Sequence, residues 1–220
     1  MAVAAHDLRN PIAVVKASAQ MAQRQIRRGE FDAAHNRLAA IVEQSDRLTE
    51  ILESFVDAAR INAGALKLRL EPIDLREVVT QAEERARVVV GDHVQRPVHI
   101  AIDTGVIGTW DRARVTRAVR ALLANALLYG DASTPVQVSA VSVGDRVRLR
   151  VCGFGRGPDA DEQQHLFEQF YRGRSAAEAG QSGSGLGLFT ARGIAREHGG
   201  DVRRIEADVF EIELPLIASI

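Results

Sequence analysis

Apolar residues recur along the first 62 positions at intervals of three and four, the spacing of one face of an α-helix. Leu8, Ile12, Val15 and Ala19 form the first stripe, within a run from Ala2 to about Arg28. Arg28-Gly29-Glu30 breaks the pattern. A second run, Phe31 to Asn62, sets Leu38, Ile41, Val42, Ser45, Leu48, Leu52, Phe55 and Ala59 on a seam with a period of about 3.5 residues. The pattern predicts two long antiparallel helices. Two helices alone cannot bury both stripes. Pairing with a second copy gives a four-helix bundle and predicts a homodimer. A hairpin packed on the rest of its own chain is the alternative.

Ala63-Gly64-Ala65 ends this grammar, and mixed helix and strand follow. Leu66 to Leu70 alternates like a strand, and Ile73-Asp74-Leu75 leads into a helix through Val90. Val98 to Ile102 reads as a strand and Gly108 to Trp110 as a short one. Asp111 is placed to cap a helix through Tyr129. Val136 to Val143 and Arg146 to Val151 form a hairpin about Gly144-Asp145. A short helical stretch is expected around Phe167, then a loop of small polar residues from Gly173 to Ser182. A helix from Leu188 to His198 and strands at Asp201 to Ile205 and Val209 to Leu214 close the chain. The fold class is α+β: a helical hairpin over 1–65, then an α/β sandwich over 66–220 with helices on one face of a mixed sheet.

Composition narrows the classes of partner. In 220 residues, 46% hydrophobic and 26% charged, the formal net charge is −1, so no bulk electrostatic argument favours nucleic acid or an anionic membrane. The single cysteine, Cys152, excludes an internal disulfide framework, and no Cys/His spacing suits zinc. His35, His93, His99, His165 and His198 show no partner pattern and read as structural or surface residues. No apolar run approaches the roughly 18 residues that span a bilayer. Met1 to Ala5 lacks the features of a signal peptide, so a cytoplasmic location is expected.

The candidate chemistry begins at Gly183-Ser184-Gly185-Leu186-Gly187-Leu188. Alternating glycines let backbone N–H groups approach an anion, and the helix that follows adds unpaired donors and a positive dipole end. A phosphate cradle and a glycine-rich hinge both fit this pattern. Four further stretches set it in context. His6-Asp7-Leu8-Arg9-Asn10-Pro11 resembles the phosphoacceptor box of sensor histidine kinases, and Arg120 to Tyr129, with Asn125 near its end, resembles their asparagine box. Val151-Cys152-Gly153-Phe154-Gly155-Arg156-Gly157-Pro158 is similar to the first glycine box and Phe167 to Arg172 to the phenylalanine box. Gly183 to Leu188, with His198-Gly199-Gly200 beyond, is similar to the second glycine box and its helix. Five motifs in order and at family spacing cover essentially the whole chain.

The resemblance implies a dimerisation and histidine-phosphotransfer hairpin before a catalytic domain of the gyrase, Hsp90 and MutL type. It implies transfer of the ATP γ-phosphate to His6, then to an aspartate on a response regulator receiver domain, with phosphatase activity also open. Asp7 would fix the His6 tautomer, and Asn10, at i+4, would position a water for dephosphorylation. Pro11 removes a helical N–H just after the site. Asn125 is the implied ligand of Mg²⁺, with Tyr129 beside it. Gly153, Gly155 and Gly157 would let the chain pass close to the nucleotide. Tyr171 borders the lid, and Arg172 contacts phosphate or is a plain surface charge. Gly183, Gly185, Leu186, Gly187 and Leu188 would hold the phosphates.

The chain departs from the family at three positions. Gly153 stands where a carboxylate usually meets the adenine amine, Ala121 where an asparagine is usual and Leu128 where a lysine is usual. Weaker ATP binding is expected from the glycine. A kinase-like scaffold that dimerises and binds a receiver without ATP turnover is therefore the second reading. An ATPase or chaperone domain is the third, opposed by His6 and by Ala121, where such enzymes carry a glutamate. Only five residues precede His6, fewer than the family's usual helix and sensor part. Two readings fit: the core of a longer, membrane-bound sensor, or a chain without a sensor of its own.

Overall fold

The computed structural model describes residues 2–91, 94–155, 160–173 and 184–217, the side chains of 2–7 and 160 excepted. Two compact units emerge, one centred on residues 1–56 and the other on residues 57–181 and 185–220.

The first unit is a helical hairpin. Helix α1 spans Ala2–Arg27 and α2 spans Phe31–Asn62. The break at Gly29 is a Schellman end: Gly29 N donates to Ile26 O at 3.1 Å and Glu30 N to Gln25 O at 2.9 Å. The same pair of bonds ends α2, from Gly64 N to Ile61 O at 3.1 Å and Ala65 N to Arg60 O at 2.9 Å. Helix α1 runs through Pro11 without ending, although proline gives the Asp7 carbonyl no helical donor. Ile12, Met21, Ile26, Leu38, Val42 and Leu52 remain 43–61% exposed in the single chain. These helices thus present unburied apolar positions on both of their stripes.

The second unit is a five-stranded sheet with helices against one face. Its strands are β2 (Val98–Ala101), β4 (Val136–Val143), β5 (Arg146–Cys152), β6 (Asp201–Glu206) and β7 (Val209–Pro215), in the order β2-β4-β5-β7-β6. Among the described strands of this sheet, β2 and β4 pair in parallel and the rest antiparallel. Strands β1 (Glu71–Asp74) and β3 (Ile107–Trp110) form a separate antiparallel pair. Alternation sets the faces. Val147, Leu149 and Val151 of β5 and Phe210, Ile212 and Leu214 of β7 are buried in the core. Between them Arg148 pairs with Glu213 and Arg150 with Glu211 across the opposite face, each at 2.9 Å. Helices α3 (Leu75–Val90), α4 (Arg112–Tyr129) and α6 (Gly187–Glu197) contribute to the same core, and a single turn, α5, covers Ala160–Gln163. Asp74 and Asp111 cap α3 and α4, Asp111 by accepting from Arg114 N at 3.1 Å, as its position predicts.

Two expected elements differ. Leu66 to Leu70 keeps its alternation, with Leu66 buried and Lys67 and Arg69 exposed, but forms no strand. Arg69 N donates instead to the Asp111 carboxylate at 2.9 Å, and pairing begins only at Glu71. The segment around Phe167 is a series of turns rather than a helix. There Phe170 adopts a positive φ of 67°, which a continuing helix could not hold.

Candidate functional site

Helix α4 is buried on most of its surface from Ala118 to Leu127 because α3, α6 and the sheet surround it. Asn125 is the half-buried exception in that run, and Tyr129, one turn on, is 38% exposed. These two side chains mark the face of α4 that leaves the core.

The glycine turn after β5 lies across the end of that helix. A Cβ on Gly155 would sit 3.6 Å from Asp131 N and 3.8 Å from Tyr129 O. Phe154 anchors the turn, its ring centroid 4.5 Å from that of Phe210. Phe167 meets the same Phe210 ring at 6.2 Å, so one residue of β7 holds both loops. Gly153 has φ +113°, a conformation L-residues rarely adopt. Its N–H donates to Asp208 O at 3.0 Å and its carbonyl accepts from Arg96 Nη2 at 2.8 Å.

The third side is the start of α6. Gly187 faces Ala121, where an added Cβ would lie 3.6 Å from the alanine Cβ. The helix therefore begins one turn along α4 from Asn125. Leu186, fully buried, takes the N-cap position without a side-chain cap. The Thr190 hydroxyl turns back to donate to Leu186 O at 2.8 Å, and among the described residues no side chain caps the first-turn N–H groups. Gly185 fits only as glycine. Its φ is +67°, and a Cβ would stand 2.6 Å from the Phe170 carbonyl carbon and from Tyr171 O. Phe170 N donates to Gly185 O at 3.1 Å and fastens the two loops together.

Asn125, Tyr129, Gly153, Gly155, Gly185, Leu186, Gly187 and Leu188 thus belong to three adjoining segments, and the half-buried Tyr171 and Arg172 continue from the loop held against Gly185. An anion with a chelated cation fits this set: N–H donors at an uncapped helix start, and an amide oxygen one helical turn away. Gly157 and Gly183 lie outside the described residues. His6 and Asp7 fall on the backbone of α1, and Asn10 is exposed one turn later on the same helix.

Three groups were not evident from the sequence. Arg96 is 3% exposed, and burial lowers its pKa against the opposing pull of Asp131. His198 is fully buried, its Nε2 accepting from Asp111 N at 3.0 Å and its Nδ1 bonded to Ile194 O at 2.8 Å. That arrangement requires a neutral ring, and burial holds its pKa below the ordinary histidine range. Asp57, 2% exposed, pairs with Arg114 at 2.6 Å and with Arg117. Arg96 and Asp57 carry no motif, and His198 reads only as structural or surface, because the partners of all three lie far along the chain.

The family model of histidine kinase-, DNA gyrase B- and HSP90-like ATPases matches residues 110–218, and that of the His Kinase A (phospho-acceptor) domain matches residues 1–64. The chain belongs to the sensor histidine kinases, whose core joins these two domains. It is 28% identical to the signal transduction histidine-protein kinase AfsQ2 of Streptomyces coelicolor over 96% of this chain and 40% of that protein. It is 30% identical to the sensor protein kinase PmrB of Pseudomonas aeruginosa, over 96% of this chain and 43% of that protein. The chain therefore spans less than half the length of these relatives. The solved histidine kinase AdeS of Acinetobacter baumannii shares the fold, with a TM-score of 0.65 over 96% of this chain and 98% of that one at 21% identity. Among the described residues, no helix is long and apolar enough to cross a membrane.

Proposed function

We propose that this chain is an ATP-dependent protein histidine kinase core, phosphorylated on His6 and passing the phosphoryl group to a receiver aspartate. The observation that carries the reading is the uncapped start of α6 beside the Asn125 face of α4. Residues 1–65 are assigned to dimerisation and phosphotransfer, and 66–220 to nucleotide binding. The N–H groups at Gly185 to Leu188 bind the phosphates, and Asn125 offers its amide oxygen to Mg²⁺, which would neutralise phosphate charge when bound. Gly153 and Gly155 border the base, and Tyr171 and Arg172 border the lid.

In the first step the neutral His6 nitrogen attacks the γ-phosphorus. The bond to the bridging oxygen breaks, ADP leaves, and the ring proton passes to Asp7 or water. In the second, a receiver carboxylate oxygen attacks that phosphorus, the P–N bond breaks and His6 is regenerated. Asn10 orients water for the reverse function, hydrolysis of the receiver phosphate. The exposed apolar positions of α1 and α2 support a homodimer.

Incubation with γ-labelled ATP and Mg²⁺ tests the reading. The label is expected to be acid-labile, base-stable and absent from His6→Gln. Asn125→Ala should bind ATP with Mg²⁺ no better than without it. The scaffold reading is favoured by the glycine at 153, which offers no carboxylate to a base. An ATP titration with no heat change at millimolar nucleotide would select it.

A further inference from the structure

Arg96 precedes Pro97 in the segment leading to β2, away from every glycine motif. Its guanidinium nevertheless reaches the nucleotide site. Nε donates to Thr134 O at 2.5 Å, Nη2 to Gly153 O at 2.8 Å and to Thr134 Oγ1 at 3.2 Å, and Nη1 to Ala126 O. These acceptors come from three separate stretches. Ala126 follows Asn125 in the last turns of α4, Thr134 ends the turn into β4, and Gly153 opens the glycine turn.

The chemistry suits the place. A cation is favourable among the carbonyls at a helix C-terminus. A planar fork of donors can serve several carbonyls at once, which an ammonium cannot do in the same geometry. The guanidinium also lies against two glycines. A Cβ on Gly130 would lie 1.9 Å from Gly153 O and 2.1 Å from Nη1, and one on Gly153 would lie 2.7 Å from Nη2. The volume beside position 153 is therefore occupied from the far side of the site.

We propose that Arg96 is a positioning residue of the nucleotide site: it fixes the end of α4 that carries Asn125 against the glycine turn, and it fills the space a side chain at 153 would take. Its effect on binding rests on the nucleotide reading above, while its effect on local order does not. Arg96→Lys keeps the charge and most of the stem but loses the fork. Leaving buried carbonyls without donors should weaken ATP about tenfold. The rate of His6 labelling at saturating ATP should change far less.

The test has two arms. In nucleotide-free protein, amide exchange at Gly130 and Gly153, both hydrogen-bonded in the fold, should accelerate in Arg96→Lys while Ile212 in β7 keeps its protection. In binding, ATP affinity should fall in Arg96→Lys and in Arg96→Ala, with added guanidinium ion recovering the alanine variant and ammonium failing to. Wild-type exchange and affinity in Arg96→Lys would overturn the proposal. So would an acceleration that reaches Ile212 equally, because that is a general loss of stability. Should the wild type not bind ATP while Gly130 and Gly153 respond as expected, the positioning role stands and the nucleotide reading falls.

Discussion

At φ +113°, Gly153 occupies backbone space that other residues enter at a cost of about 1–3 kcal/mol. Gly153→Asp is therefore expected to lower the unfolding free energy by an amount in that range, measured by urea denaturation. Its carboxylate would arise next to the Arg96 guanidinium and pair with it, so ATP affinity should not rise. A calorimetric titration of the variant checks this. His198 makes a different demand on its surroundings. Its Nε2 must stay unprotonated to accept from Asp111 N, and burial depresses its pKa in the folded chain. In the unfolded chain a histidine titrates near about 6.5. As pH falls below that value the unfolded state takes up the proton first, so stability is complete above it and declines as pH drops toward the folded pKa. Unfolding measured across that interval should show the decline, and His198→Gln should flatten it from a lower starting stability.

The end of α2 from Asp57 onward belongs to the second unit and is held within it by more than apolar contact. Asp57 bridges Arg114 and Arg117 of α4, Asn62 Nδ2 donates to Gln169 Oε1 at 3.0 Å, and Ile61 fills the notch that Gly193 leaves in α6. Removing one member of a buried charge cluster leaves the others uncompensated, at a cost of about 3–5 kcal/mol. Asp57→Ala is expected to approach the lower end of that range in a denaturation curve, since the arginines retain 12–14% exposure. The contrast between elements and their fastenings explains what the sequence disclosed. Helix extents, the Asp111 cap and the hairpin at Gly144-Asp145 depend on local periodicity and capping, so they read directly. Leu66 to Leu70 misled because alternating burial needs only one buried face, whereas a strand also needs a partner with free N–H and C=O groups. The glycine motifs point to the segments proposed as the nucleotide site. Arg96, Asp57 and His198 reach partners 57, 60 and 87 residues away, and no short pattern encodes such a meeting.

For the whole molecule, the exposed apolar positions of α1 and α2 are a demand the single chain leaves unmet among the described residues. Val42 is 61% exposed in the chain, so Val42→Glu should leave the fold of each protomer intact and shift light-scattering mass toward the monomer. The bond from Phe170 to Gly185 has a consequence of another kind. It joins the backbone at 170 to the backbone at 185. For a flexible span between two joined points, the closure free energy grows only with the logarithm of the number of residues. Doubling the span with a glycine-serine insert should lower the unfolding free energy by only about 0.6 kcal/mol in a denaturation curve. The number of residues between these two points can thus change almost independently of the architecture that joins them.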